Sequence, residues 1–171
     1  MLRLTIGDES VTSMARRVYF AFHYDDIWKV NQIRNSHIVD GCTAAGFMDA
    51  SLWEEVKRRG KTAIQRAILQ GLEKTSVTCV LIGRDTWKRK YVRYEIEQSL
   101  ERGNGLLGVH IHNIRDQWRG TSEKGRVPAI LREVRVPIYT WNRTQFGEWI
   151  ERAATETEAK KPKGFLDWLF S

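Results

Sequence analysis

Residues 77–83 read VTCVLIG, a run of small and branched apolar residues that ends in glycine. A strand covered on both faces of a parallel sheet has this continuous apolar character, whereas a half-exposed strand alternates apolar and polar residues. The run therefore predicts a central strand. Residues 17–22 (RVYFAF) and 106–111 (LLGVHI) have the same character and predict two further strands. Residues 44–48 and 134–140 predict two weaker strands, the last at a sheet edge because it contains a proline.

Helical spacing of apolar residues separates these strands, except that a long loop joins the last two. Thr62 is expected to cap the second helix, and the third carries an apolar stripe of Val92, Ile96 and Leu100. The predicted helices cover residues 27–37, 62–72, 85–102 and 146–153, whereas residues 50–60 (with one helical turn) and 112–128 are expected to be long loops.

Alternation of strands and helices is typical of the α/β class, with a parallel sheet. Five strands fit the flavodoxin-like order 2-1-3-4-5, a three-layer domain with helices on both faces of the sheet. In such sheets the ligand crevice lies at the carboxyl ends of strands one and three, where the strand order reverses. The residues expected to line it are Phe22, His23, Tyr24 and Asp25 after strand one, and Arg84, Asp85 and Trp87 after strand three.

Length and composition suit one globular domain, since the chain has 171 residues, 42% of them apolar and 29% charged. No apolar run approaches about 18 residues and the N-terminus lacks the apolar core of a signal peptide, so we expect no membrane span and a cytoplasmic location. Two cysteines give no disulfide framework, which agrees with a reducing compartment. The predicted organisation is a flexible extension over residues 1–15, the domain over 16–157 and an amphipathic tail over 158–171.

The net charge of +7 indicates a basic surface, which attracts nucleic acid, anionic membranes or phosphate-bearing small molecules. The sequence has no zinc finger, RNP motif or basic heptad helix, so nucleic acid is not the expected partner. It also lacks the P-loop pattern, the GxGxxG pattern and metal-ligand spacings, so neither a resident cofactor nor a metal is expected.

One carboxylate stands out in the helix after strand three. Glu95 follows Tyr91 by four residues, which puts both on the same face of the helix, and it precedes Ile96, which is expected in the core. Glu95 therefore lies at the edge of the buried stripe, where it is expected to face the crevice. An ordinary surface glutamate paired with a lysine or arginine would have the same spacing.

Six segments together resemble the TIR-like domain family of the Thoeris antiphage defence system, the ThsB proteins. They are RRVYFAFHYDD (16–26), VNQIRNSHIV (30–39), FMDASLWEEVKR (47–58), TSVTCVLIGRDTW (75–87), RKYVRYEIEQSLERGN (89–104) and LLGVHIHNIRD (106–116). TIR domains carry a W-x-x-x-E pattern on the helix after strand three, which Tyr91 and Glu95 match with tyrosine in place of tryptophan. A second departure is Ala21, where the family often has serine. The MARRVYFAFHY stretch resembles a family start, so translation from Met14 is a further expectation.

The resemblance implies cleavage of NAD⁺, which is substrate rather than cofactor, with Glu95 as the catalytic carboxylate. It further implies a cyclic ADP-ribose-type product that activates a separate effector protein, a phage-derived trigger, and self-association into a homo-oligomer. The substrate-binding residues implied are Phe22 and His23 at the floor, Arg84 or Lys88 at the pyrophosphate, Trp87 and Tyr91 as stacking aromatics, and Asp49, Ser51 and Trp53 in the loop after strand two, which commonly gates the site and mediates contacts between TIR domains.

Three other functions fit parts of the pattern. A non-catalytic TIR scaffold that signals by assembly would share the fold, although the retained Glu95 argues against it. A response-regulator receiver would explain Asp25 and Asp26, but it needs an aspartate after strand three, where Gly83 and Arg84 stand, and a lysine after strand five, where residues 139–141 read YTW. A nucleic-acid-binding module would rest on charge alone.

Overall fold

The computed structural model describes residues 16–36, 43–45, 50–115 and 120–160. Within these ranges it contains five strands and six α-helices, and two short 3₁₀ turns over Tyr24–Asp26 and Thr86–Lys88. In chain order they are β1 (Arg17–Phe22), α1 (Ile27–Arg34), β2 (Thr43–Ala45), α2 (Ala50–Arg58), α3 (Lys61–Leu72), β3 (Val77–Ile82), α4 (Lys90–Glu101), β4 (Gly105–His110), α5 (Ala129–Glu133), β5 (Ile138–Thr140) and α6 (Phe146–Lys160).

The strands form one sheet in the order β2-β1-β3-β4-β5, and neighbouring strands are parallel. β3 lies between β1 and β4, with Tyr19 opposite Thr78 and Ile82 opposite His110. Every residue of β3 and β4 is buried, as the continuous apolar runs predict. The predicted α/β class with a parallel sheet and helices is confirmed.

Alternation along the strands sends side chains into two cores, one on each face of the sheet. The first core lies under α1 and α6, with Phe146 fully buried and its ring stacked 6.3 Å from that of Phe20. The second core lies under α3, α4 and α5 and contains Tyr19 and Ala21 from β1. Successive β1 residues therefore face different helices, which decides which of them can approach Glu95.

Residues 50–60 are not the long loop that the sequence predicts, because most of them form α2. Two ion pairs at helical spacing, Lys57 with Glu54 (2.7 Å) and Arg59 with Glu55, stabilise this helix, and Val56 packs on the second core. Leu52, Trp53 and Val56 also stand at helical spacing, so the amphipathic pattern of this helix is present in the sequence.

Several predicted boundaries are also wrong. Thr62 does not cap α3, because the helix begins at Lys61 and Gly60, at φ 89°, occupies the cap position. The long loop after β4 is followed by α5, and β5 begins at Ile138 rather than 134, because Arg135 adopts a left-handed φ of 54° after the helix.

The third predicted helix differs from α4 at both ends. A 3₁₀ turn precedes it and Arg89 is extended, so the α-helix begins at Lys90 instead of 85. Leu100 is 38% exposed while Ser99 is buried, because positions four apart drift by roughly 40° around a helix and the stripe turns away from Leu100.

The predicted terminal segments, residues 1–15 and the end of the tail from 161, lie outside the described residues. α6 continues to Lys160, so the boundary predicted at 157 falls inside this helix. Within the described ranges, no helix combines the length and the apolar character that a membrane crossing requires.

Candidate active site

The Glu95 carboxyl lies between α4 and β1. The hydroxyl of Tyr19, which is 3% exposed in the middle of β1, donates a 2.7 Å hydrogen bond to Glu95 Oε1. The Glu95 side chain is partly buried, and burial raises its pKa to about 8, although the hydrogen bond from Tyr19 acts in the opposite direction. The carboxyl is therefore largely neutral at pH 7 in the ligand-free protein, and a nearby positive charge would favour its ionised form.

The contact with Glu95 also affects the ionisation of Tyr19. Its own pKa is raised well above the ordinary value of 10, first by burial and then by the Glu95 carboxyl. Tyr19 therefore stays protonated and acts as a hydrogen-bond donor, which fixes the position of one carboxyl oxygen. By contrast Glu97, two residues further along α4, pairs at the surface with Arg93 at 2.8 Å.

α4 presents different chemistry on its two flanks. Val92, Ile96 and Ser99 point to the sheet. At 3.6 residues per turn, Glu95 and Tyr91 lie on one side of this stripe, and Arg93 lies on the other. Tyr91 packs on the second core, on the side of α4 that carries Glu95. The Lys90 ammonium lies 5.0 Å from the centroid of the Tyr91 ring.

A cavity of about 480 Å³ opens at the carboxyl ends of β1 and β3, where the strand order reverses. This cavity is the crevice that the sequence predicts. His23 and Arg84 line it, and both were predicted there from the sequence. Burial lowers the pKa of His23, with Asp25 acting against this from 3.5 Å, so the imidazole is neutral at pH 7. A 2.7 Å bond from Lys88 lowers the pKa of Asp85, another lining residue.

Sequence reasoning missed Lys29, which lines the same cavity from α1. It is 4% exposed, and its ammonium donates a 2.7 Å hydrogen bond to Ser122 Oγ in the loop after β4. That loop is also held by the Ser122 amide, which donates to the His112 carbonyl at 3.1 Å. The available signal was a charged residue inside the buried stripe of α1, next to Val30 and four residues before Ile33.

Gly83 and Gly125 allow the loop to close over this end of the sheet. A side chain at Gly83 would collide with the Asp26 carboxyl, and one at Gly125 would collide with the Gly83 carbonyl oxygen. The backbone after β3 is thus covered on one side by the carboxylate of Asp26, the N-cap residue of α1, and on the other side by the loop that contains Gly125.

The other predicted site residues lie elsewhere. Phe22 packs on the first core, on the face of the sheet opposite Tyr19 and Glu95, and its contact with substrate stays a prediction. Trp87 is 44% exposed beneath the Arg126 guanidinium, 5.3 Å from the ring centroid, and lines a separate small cavity. Asp49 lies outside the described residues, and Ser51 falls in α2, where its side chain is not described.

The structure therefore gathers His23 and Arg84 in the crevice, and Glu95 with Tyr91 on one flank of α4. The crevice lies beyond the carboxyl end of β1, where His23 follows the strand, and Asp26 and Lys29 line it from the side of α1. In the part of the chain that is described, no group of three or more His, Cys, Asp or Glu side chains could hold a metal ion.

A parallel α/β sheet with a carboxylate on the helix after its third strand agrees with the TIR-like domain that the sequence resemblance implies. The chain belongs to the family described as "Thoeris protein ThsB, TIR-like domain", which matches it over residues 19–116. A curated relative from Bacillus cereus (strain MSX-D12), named "Putative cyclic ADP-D-ribose synthase ThsB1", is 47% identical over 118 residues. The match covers 67% of this chain and 62% of the relative, so the chain spans less than two thirds of that relative's length.

Proposed function

We propose that this chain is a TIR-type enzyme of antiphage defence that cleaves NAD⁺, releases nicotinamide and forms a cyclic ADP-ribose-type signal for a separate effector. The observation that carries the proposal is the Glu95 carboxyl, which is partly buried on α4 and fixed by the Tyr19 hydroxyl. The 47% identical relative named as a cyclic ADP-D-ribose synthase supports the same activity.

The chemistry suits a single carboxylate. The bond between the nicotinamide nitrogen and the ribose C1′ breaks, its electron pair leaves with the nicotinamide ring, and that ring becomes neutral. Because the ring is already cationic before departure, the leaving group needs no strong general acid. The ribose becomes oxocarbenium-like, and an ionised Glu95 would stabilise this developing positive charge. A nucleophilic atom of the same ADP-ribosyl group then bonds to C1′, and the cyclic product gives up one proton to solvent.

Burial of Glu95 fits this role. The cationic nicotinamide ring lowers the pKa of a neighbouring carboxyl, so substrate binding converts the neutral acid into the carboxylate that the transition state requires. The released proton goes to solvent. The ionised group is then formed mainly when its positive partner is present, in surroundings where the interaction is weakly screened.

The proposed substrate path runs along β1. Tyr19 and His23 are four positions apart, which corresponds to roughly 13 Å of extended chain. We propose that the nicotinamide ribose meets Glu95 and Tyr91, while the pyrophosphate reaches toward His23 and Arg84 at the crevice. Asp49, and Ser51 at the start of α2, remain proposed substrate contacts.

The test is incubation of the purified chain with NAD⁺, with nicotinamide followed by chromatography and the second product identified by mass spectrometry. Glu95→Gln is the test variant and Glu97→Gln the matched control, since both remove one carboxylate from α4. We expect Glu95→Gln to lose roughly 10²-fold or more in rate and Glu97→Gln to keep its rate. Lysate from phage-infected cells is added in a parallel reaction because a phage-derived trigger belongs to the proposal.

A folded protein that releases no nicotinamide in either reaction would contradict the enzymatic proposal and favour a non-catalytic scaffold. A linear ADP-ribose product would refute the cyclase part alone. Self-association is tested separately by light scattering with and without a non-cleavable NAD⁺ analogue, and a monomer in both conditions would argue against a site shared between copies.

A further inference from the structure

A second, smaller cavity lies on the flank of α4 that faces away from Glu95. Its volume is about 60 Å³, and it opens between the start of α4 and the start of α5. Trp87, Arg89, Arg93 and residues 128–130 form much of its wall. The described residues that line it include two arginines and no carboxylate, and the carboxylates that act on Arg93, those of Glu97 and Glu133, lie outside the lining.

Arg89 has unused donor capacity at this cavity. Its Nε atom is buried and has no hydrogen-bond partner among the described residues. A buried donor on a charged group without a partner is costly, and such a group calls for an acceptor. Arg93 uses its Nε for Glu97 at 2.8 Å, and the guanidinium group has further N–H donors beyond that one.

The surroundings add positive charge and an aromatic surface. Arg126, which is not a lining residue, lies over the exposed ring of Trp87, 5.3 Å from the ring centroid. The first turn of α4 holds no acidic residue, and its N-cap residue makes no side-chain capping bond, so the positive end of the helix dipole adds to the potential.

We propose that this cavity binds a phosphate group, either free or as part of a nucleotide. Arginine matches the oxygens of a phosphate with charge-assisted hydrogen bonds, and the cavity has room for a group of a few heavy atoms. The larger crevice is of mixed charge, because Asp25, Asp26, Asp85 and Glu123 line it together with Lys29 and Arg84. Trp87 then belongs to this site, where it offers a ring face beside the bound group.

This inference does not depend on the proposed enzymatic activity, since Glu95 lies on the opposite flank of α4. The test is two-dimensional NMR of the ¹⁵N-labelled full chain, titrated with inorganic phosphate at constant ionic strength. We expect saturable shifts of the amides of residues 90–92 and 129–130. Arg89→Gln and Arg93→Gln should each weaken phosphate binding by roughly tenfold or more. The control is Arg102→Gln, since Arg102 is exposed and lies at the C-terminal end of α4. This variant should change the affinity for phosphate by less than about twofold.

The spectra also report folding, and Arg93 is exposed, so the proposal stays testable if Arg89→Gln does not fold. Shifts that do not saturate, shifts that centre on His23 and Ser122, or an equal loss in Arg102→Gln would overturn the proposal. A second titration uses ADP-ribose on the phosphate-saturated chain. Displacement of phosphate from the same amides identifies a nucleotide as the carrier, and unchanged phosphate shifts identify free phosphate.

Discussion

Replacement of Glu95 by glutamine is expected to stabilise the fold at neutral and alkaline pH while it removes the proposed activity. Burial raises the folded-state pKa of Glu95 to about 8, against an ordinary value of 4.5. Below pH 4.5 the group is neutral in both the folded and the unfolded chain. Between pH 4.5 and 8 the unfolded chain ionises first, so stability falls as the pH rises, and above 8 the loss is complete.

The size of this effect follows from the distance between the two pKa values. One pKa unit corresponds to about 1.36 kcal/mol, which gives an upper limit of about 5 kcal/mol for the whole range. Part of the Glu95 side chain faces solvent, which reduces the effect, so we expect about 2–5 kcal/mol. Glutamine has the shape of the neutral acid and can still accept the hydrogen bond from Tyr19, so the variant avoids the cost of ionisation without losing its partner.

Urea unfolding followed by circular dichroism at pH 5, 7 and 8.5 measures the difference. The advantage of Glu95→Gln over the natural chain should be small at pH 5 and should grow to its full value at pH 8.5. Glu97→Gln is the control, because it breaks an exposed ion pair with Arg93 that is worth less than about 1 kcal/mol. Parallel pH profiles for Glu95→Gln and the natural chain, or a less stable variant at pH 8.5, would refute the reasoning.

Four further predictions rest on other contacts. If ionised Glu95 is required, kcat/KM for nicotinamide release should rise with pH around a midpoint of about 8, and a rate that is flat from pH 6 to 9 would count against this role. Tyr19→Phe removes the bond that lowers the Glu95 pKa, so the same profile should move to higher pH; a shift to lower pH would contradict the assigned donor. Ser122→Ala breaks the tie to Lys29, and hydrogen exchange of the loop amides at 120–125 should become faster, whereas unchanged exchange would show that the tie does not hold the loop. Phe146→Ala empties the centre of the first core and should lower the free energy of unfolding by about 3–5 kcal/mol, measured by urea unfolding at pH 7. A decrease below about 1 kcal/mol would show that Phe146 is not packed in this core.

Much of the fold was predictable because its central strands carry an unambiguous pattern. The runs at 17–22, 77–83 and 106–111 contain few residues that a helix or loop would favour, and the structure has a strand in each. α2 was missed although Leu52, Trp53 and Val56 stand at helical spacing, because nine residues give only a short stretch of this pattern. α5 was missed because five residues carry too little periodicity to be recognised, and the left-handed turn at Arg135 that shortens β5 has no glycine to mark it.

The candidate site was predictable only in part. The spacing from Tyr91 to Glu95 identifies the helix flank, but it does not reveal the partner, since Tyr19 reads as one more core residue of β1. The sequence does show that Phe22 and Tyr19 point to opposite faces of β1, because an odd number of positions separates them. The hydrogen-bond partner of Lys29 is Ser122, in a loop 93 positions further along the chain, and the sequence around Lys29 carries no information on such a contact.

The most direct test of the central claim is the initial rate of nicotinamide release from NAD⁺ at pH 8.5, measured side by side for the natural chain, Glu95→Gln and Glu97→Gln. At this pH most of Glu95 is expected to be ionised even before substrate binds. The account predicts release by the natural chain and by Glu97→Gln, and a loss of roughly 10²-fold or more in Glu95→Gln although that variant is the most stable of the three. Equal rates in all three proteins would contradict a catalytic role for Glu95.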